Sequence, residues 1–231
     1  MGSLLHVATW ARPDISFAVA QLARFQQQPT QLHWDSAKQV LRYLKGTSTL
    51  GVVYRRPQRN RNVTRVVQGL GDLQLHGFVD ASWGEDLNTR RSQSAFVFML
   101  GNGAVSWKSK LQDIVASSTC EAEYIAAAAA VKEAIYLRYL LADVLSRDVL
   151  TQPVVLLEDN QSTIKLARNL DTSSRTKHID IRHHLVKDHV ARGDVVLTYV
   201  PTEDQAADGL TKSLDAEKHE RHRNTIFGVW L

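Results

Sequence analysis

Residues Leu75–Trp107, reading LHGFVDASWGEDLNTRRSQSAFVFMLGNGAVSW, hold three short apolar runs in close order, and their spacing decides the class of fold. Leu75–Val79, Ala95–Leu100 and Ala104–Trp107 are too short for helices and read as strands. Gly101-Asn102-Gly103, between the second and third, is a tight hairpin signal. Downstream, an Ala-rich segment from about Cys120 to Leu145 predicts a long helix, and Val154–Leu157 a buried strand. A helix over Gln161–Arg168, a polar stretch Asp171–Lys177, a helix over Ile181–Ala191, a strand Val195–Val200 and a final helix from about Glu203 follow. The order β-β-β-α-β-α-α-β-α predicts an α/β fold: three antiparallel strands, then strands joined through helices, in a mixed five-stranded sheet with helices on both faces.

Upstream, residues 1–54 read as two helices and an extended exit. Pro13 opens the first, with Ile15, Val19, Leu22 and Phe25 on one face. After Pro29-Thr30, the second carries Trp34, Ala37, Leu41 and Leu44 at helical spacing, with Gly46 as its C-terminal cap. Lys38, Arg42 and Lys45 lie opposite and read as a solvated face. So small a hairpin holds little core of its own, and loose packing of these helices is the expectation. Residues Arg55–Gln68 carry five arginines (Arg55, Arg56, Arg59, Arg61, Arg65) and no acid, which reads as a basic linker. The expected division is 1–54 helical, 55–74 linker and 75–231 α/β domain.

The 231 residues are 44% hydrophobic and 23% charged, an ordinary globular composition. Lys and Arg number 28 against 24 acids. Setting aside a few functional carboxylates leaves a basic surface, which suits a polyanionic partner. Cys120 is the one cysteine, so an intrachain disulfide is excluded. The N-terminus lacks the apolar core of a signal peptide, and no run reaches the roughly 20 apolar residues of a membrane span. The expectation is an intracellular protein, in the cytoplasm and in virus-like particles, with the nucleus as an alternative.

Four acids carry the chemistry. Asp80 and Asp159 each end an apolar run, where a carboxylate sits at a strand tip; Glu123 and Asp208 each lie near the start of a helical pattern. Singly, each has an ordinary reading as a turn residue, a helix cap or a solvent-facing side chain. Jointly, four converging carboxylates repel one another unless cations intervene. Mg²⁺ favours a few carboxylates plus substrate phosphate oxygens. The set reads as a two-metal phosphodiester hydrolase.

The chain also resembles the end of a copia-type retrotransposon Pol polyprotein, from the tail of the reverse transcriptase through its ribonuclease H. The segments that carry this are A-R-P-D-I-S-F-A-V, H-W-D-S-A-K-Q-V-L-R-Y-L-K-G-T, V-D-A-S-W-G, R-R-S-Q-S-A-F, S-W-K-S-K-L-Q, S-S-T-C-E-A-E-Y-I-A, E-D-N-Q-S-T-I, R-T-K-H-I-D-I-R and Y-V-P-T-E-D-Q-A-A-D-G-L-T-K. They stand in family order and cover nearly the whole chain. The resemblance implies a ribonuclease H-like fold preceded by a thumb-like helical segment, and cleavage of the RNA strand of RNA–DNA hybrids to 5′-phosphate and 3′-hydroxyl ends. It implies Asp80, Glu123, Asp159 and Asp208 as catalytic and metal-binding residues, two Mg²⁺ ions (Mn²⁺ as substitute), and the rest of the reverse transcriptase as a partner. Glu123, followed by Tyr124-Ile125-Ala126, matches the family's helical acid, with Glu121 as the alternative. No Asp-Asp pair occurs, so no polymerase site is present in the sequence.

Ser82, Asn160 and Gln161 are candidate contacts to the RNA 2′-hydroxyls. Arg90, Arg91, Lys108, Lys110, Arg175 and Lys177 are candidates for the two backbones. His178, His183, His184 and His189 lack cysteine companions and read as surface or phosphate-contact residues, not a zinc site. Between Val200 and Asp208 there is no histidine, unlike cellular and retroviral ribonucleases H. Other readings are an idle ribonuclease H-like binding or structural module, a decayed or host-adopted element fragment, and an integrase-like nuclease. The last places its glutamate after the second aspartate strand, whereas Glu123 precedes Asp159.

Overall fold

The structure, a computed structural model, describes residues 1–54, 74–145, 150–169 and 180–229, the side chains of 180–183 excepted. Five strands form one sheet: β1 (His76–Ser82), β2 (Gln93–Leu100), β3 (Gly103–Leu111), β4 (Val154–Glu158) and β5 (Val195–Tyr199). Their spatial order is β3-β2-β1-β4-β5. β1, β2 and β3 pair antiparallel, while β4 runs parallel to both β1 and β5. The Gly101–Asn102 turn joining β2 to β3 has positive φ at both residues (58° and 67°), which matches the twist of the flanking strands.

Alternation along the strands divides the core. Val79, Phe96, Phe98, Leu156 and Leu197 point to one face, where α4 (Thr119–Val144) presents Ala122, Ala126, Ala127, Ala130 and Ala134. Alanines let that helix approach the sheet closely, and α5 (Gln161–Arg168) and α6 (Asp180–Ala191) complete the layer. Phe78, Val97, Met99, Val155 and Leu157 point the other way, against Leu210, Ile226 and Phe227. That face is covered by a turn at Asp208–Leu210 and by α7 (Ala216–Phe227). The architecture is the mixed five-stranded sheet, with helices on both faces, that the sequence led one to expect.

Two details of this part of the chain differ. β1 runs on to Ser82, so Asp80 lies within the strand rather than at its tip. Instead of a helix from Glu203, the chain makes two 3-10 turns, Thr202–Asp204 and Asp208–Leu210, and enters α7 only at Ala216, where Asp215 caps it. The basic run of residues 55–73 falls outside the described residues.

The N-terminal part contains three α-helices, not two: α1 (Gly2–Trp10), α2 (Ser16–Ala23) and α3 (Gln31–Gly46). In α3 the buried stripe is displaced from the one read in sequence. Trp34 and Leu41 are 61% and 55% exposed, while Val40 is 9% exposed and packs with Leu4, Ala8, Ile15, Val19 and Leu22. Nor are the helices loose. Arg12 binds both oxygens of buried Asp14 (2.9 and 2.7 Å) and reaches the Thr47 carbonyl and hydroxyl. Tyr43 donates to Asp14 at 2.7 Å. Trp107 on β3 donates its indole N–H to the Ala8 carbonyl at 2.7 Å, and Val53 donates to the Phe227 carbonyl at 2.8 Å. An Arg24–Asp86 ion pair at 2.7 Å adds a further tie.

Asp14→Ala leaves the Arg12 guanidinium buried without its counter-charge. A loss of about 3 kcal/mol is expected, read as a lower denaturant midpoint together with faster hydrogen exchange in α2 and α3.

Candidate active site

The hydrogen-bonded pairing of β1 with β4 ends at Phe78 and Leu157, two residues before Asp80 and Asp159 respectively. Gln205, fully buried, spans the gap beyond: its side-chain amide donates to the Val79 carbonyl (2.9 Å) and the Leu157 carbonyl (3.4 Å). The strands therefore part under control and leave room for carboxylates at the carboxyl end of the parallel pair, where open α/β sheets place ligands.

Asp80, Glu123 and Asp159 each offer an oxygen within 4.8 Å of the others. Asp80 and Glu123 are buried; Asp159 is half-buried and accepts the Thr202 hydroxyl at 2.8 Å. Asp208 stands beside Asp80 and raises its proton affinity. Glu121, the alternative helical acid, turns to the Ser117 backbone N–H at 2.7 Å and caps the approach to α4. The geometry brings Glu123, not Glu121, to the cluster. Two side chains that the sequence reading passed over belong here: Thr211 donates its hydroxyl to Asp80 Oδ2, and Lys212 pairs with Asp208 Oδ2 at 2.9 Å. Both follow from the T-K that ends the last motif. A third, Glu158, is buried next to Asp159.

Burial, then the Asp208 charge, lifts Asp80 from an ordinary 3.8 to about 7. Glu123 is driven far above the usual carboxylate range by burial, then by Glu158, Asp80 and Asp159. Asp208 also rises, through burial opposed by Lys212. Lys212 is held protonated: burial works against its charge, but Asp80 and Asp208 outweigh it. Buried oxygens on Glu123 (Oε2) and Asp208 (Oδ1) have no hydrogen-bond partner among the described residues. A set of acceptor-only oxygens with no donors to fill them fits a hard divalent cation.

The nucleic-acid candidates are dispersed. Ser82 ends β1, half-buried. Asn160 spends its side-chain oxygen capping α5, on the N–H groups of Ser162 (3.0 Å) and Thr163 (3.2 Å), whereas Gln161 is exposed. Lys110 lies across Ser94 from Ala81, roughly 10 Å away at two strand spacings. It pairs with Asp113 at 3.0 Å. Lys108 is exposed on the same edge strand. Arg90 is exposed and Arg91 half-buried in the β1–β2 loop, Arg90 at φ 56°. Arg175, Lys177 and His178 fall outside the described residues. His189 binds Asp194 at 2.9 Å, a structural contact.

The chain is 36% identical over 220 residues to the retrovirus-related Pol polyprotein from transposon TNT 1-94 of Nicotiana tabacum, which covers 95% of this chain and 15% of that protein. It is 36% identical over 226 residues to the Pol polyprotein from transposon RE1 of Arabidopsis thaliana, covering 98% of the chain and 14% of the relative. It thus spans about a seventh of the length of these relatives. Secreted RxLR effector protein 161 of Plasmopara viticola is 38% identical over 137 residues, 59% of the chain and 87% of the effector. Among solved structures, the N-terminal ribonuclease H domain of a Mycobacterium tuberculosis protein aligns with a TM-score of 0.44 at 10% identity, over 66% of this chain and 98% of that one. No family model matches the chain.

An acid whose folded pKa is raised favours the native state only while protonated, so its contribution is lost as pH rises through the folded value. Without divalent cations, stability is expected to fall between about pH 4 and about pH 7 as Asp80 ionises. Mg²⁺ should reverse that fall. Melting temperatures across this range, with and without Mg²⁺, check it.

Proposed function

The chain belongs to the retrovirus-related Pol polyproteins of copia-type transposons, and we propose that its segment of Pol is a ribonuclease H, a metal-dependent endonuclease for the RNA strand of RNA–DNA hybrids. One observation carries this reading: Asp80, Glu123 and Asp159 meet within 4.8 Å at the parting of β1 and β4, with Asp208 alongside. Asp80, Glu123, Asp159 and Asp208 would hold two Mg²⁺ ions, or Mn²⁺ in their place. When bound, such ions activate the attacking water and stabilise the leaving oxygen of a phosphodiester.

The chain's own groups prepare that step. Thr211 fixes Asp80 Oδ2, so one face of that carboxylate is committed and the other stays available. Lys212 holds Asp208 by Oδ2, and Oδ1 has no hydrogen-bond partner among the described residues. Its ammonium also offsets part of the negative field that would repel a phosphate. Gln205 keeps the two aspartate-bearing strands at a set separation.

The partner we propose is an A-form hybrid, distinguished from duplex DNA by its 2′-hydroxyls in a wide minor groove. Ser82 and Gln161, beside the acids, suit those hydroxyls; Asn160 serves better as a cap. Lys108, Lys110, Arg90 and Arg91 suit the phosphate backbones, and Arg175 and Lys177 remain proposed for the same role. Residues 1–54 would join this nuclease to the rest of the reverse transcriptase. No helix among the described residues is long and apolar enough to cross a membrane. We place the activity in the cytoplasm, within virus-like particles.

Labelled RNA–DNA hybrid incubated with the chain and Mg²⁺ or Mn²⁺ should yield RNA fragments with 5′-phosphate ends. Asp159→Asn should lower the rate at least about 100-fold while hybrid binding persists. Binding without cleavage by the wild-type chain in either metal would replace this reading with that of an idle binding module.

A further inference from the structure

Glu158 is the last residue of β4 and is 0% exposed. One carboxylate oxygen accepts the Asn160 backbone N–H at 3.1 Å. The other, Oε2, is buried with no hydrogen-bond partner among the described residues. Strand alternation turns this side chain away from Asp159. Val154 and Leu156 share its face and pack with Ala122 and Ala126 of α4, whereas Val155 and Leu157 belong to the opposite core. On that α4 face stands Glu123, whose own Oε2 is buried and unpartnered. After burial, the Glu158 charge is the strongest influence on Glu123, ahead of Asp80 and Asp159. Lys212, the cation in contact with the cluster, pairs with Asp208 near Asp80.

A buried carboxylate with an unmet oxygen costs free energy that an apolar side chain of the same size would not. Its bland role, accepting the Asn160 N–H to shape the turn before α5, uses one oxygen and needs no charge. The unmet oxygen beside Glu123 is relieved by a proton or by a positive charge, and a divalent ion at the Asp80–Glu123–Asp159 cluster supplies the charge. We propose that Glu158 is a positioning residue of the cation site: it stands behind Glu123 and strengthens the hold of that ligand on its ion. The inference rests on the metal-site reading above. A charge shielded from water acts on its neighbour through a low effective dielectric, and partners behind a metal ligand typically change affinity about 10–100-fold.

The test is a thermal melt of the whole chain against Mg²⁺, and separately Mn²⁺, with no nucleic acid. Glu158→Gln keeps the acceptor for Asn160 and removes the charge; Glu158→Met fills the same space should the amide fail to fold. The expected result is a cation concentration for half-maximal stabilisation raised about tenfold, with no fall in the melting temperature of the cation-free protein. An unchanged midpoint beside a wild-type chain that does respond to the cation overturns the inference alone. Failure of both variants to fold, with or without cation, also overturns it, because Glu158 is then a structural residue. A wild-type chain that shows no cation response removes the metal-site reading itself, and this inference with it.

Discussion

Pairing between β1 and β4 stops at Phe78 and Leu157, and the site exists because of that stop. Two parallel strands in full register would bury the backbone between them and leave the acids apart on a continuous sheet. Here the strands part, and the Gln205 amide takes over from the ladder by donating to one carbonyl on each strand. A buried, fully engaged amide is a stiff spacer. It sets the separation of Asp80 and Asp159 while leaving the space between their side chains open. The turns that carry Gln205, Asp208 and Thr211 arrive from the opposite end of the sequence. The distance between the aspartates is therefore a tertiary property, set by a residue 126 positions from Val79 and 48 from Leu157.

What the site costs is electrostatic. Glu123, Glu158, Asp80 and Asp208 are all shielded from water, and burial is the first cause of the raised proton affinity of each. Lys212 and Thr211 offset part of this on the α7 side of the sheet; on the α4 side no described residue donates to Glu123 Oε2 or Glu158 Oε2. The surrounding fold can carry that strain because both faces of the sheet are covered by apolar layers. The alanine stripe of α4 brings its backbone close enough to seat Glu123 at the strand ends, a placement that bulkier residues at Ala122, Ala126 or Ala130 would push away.

The N-terminal helices belong to the same packed unit. Arg12 organises them, bridging Asp14 and Thr47 and lying 5.7 Å from the centre of the Phe227 ring. Because Arg12 also stacks near α7, and Trp107 reaches across to Ala8, the helical segment is joined to the face of the sheet that carries Asp208. A movement of the N-terminal helices would thus be felt first by the turn that presents Asp208 and Lys212.

The strand runs, the Gly101–Asn102 turn, the helix over Gln161–Arg168 and the order of elements from β1 to β5 were all legible in the sequence, because each depends on local periodicity and turn chemistry. The acids stand out in the sequence through their motif neighbours, and the fold brings Asp80, Glu123 and Asp159 together. The choice between Glu121 and Glu123 was open in sequence, as two residues on a helix differ by about 200° and either face could have met the sheet; packing of the alanine stripe decided it. The buried stripe of α3 was misread because Trp34 and Leu41 are apolar yet face outward, and Val40 was chosen by its partners in α1 and α2. Thr211, Lys212, Gln205 and Glu158 look like ordinary polar residues along the chain. Their roles come from what stands opposite them, and only the folded arrangement, which sets buried charge against buried charge and amide against carbonyl, decides that.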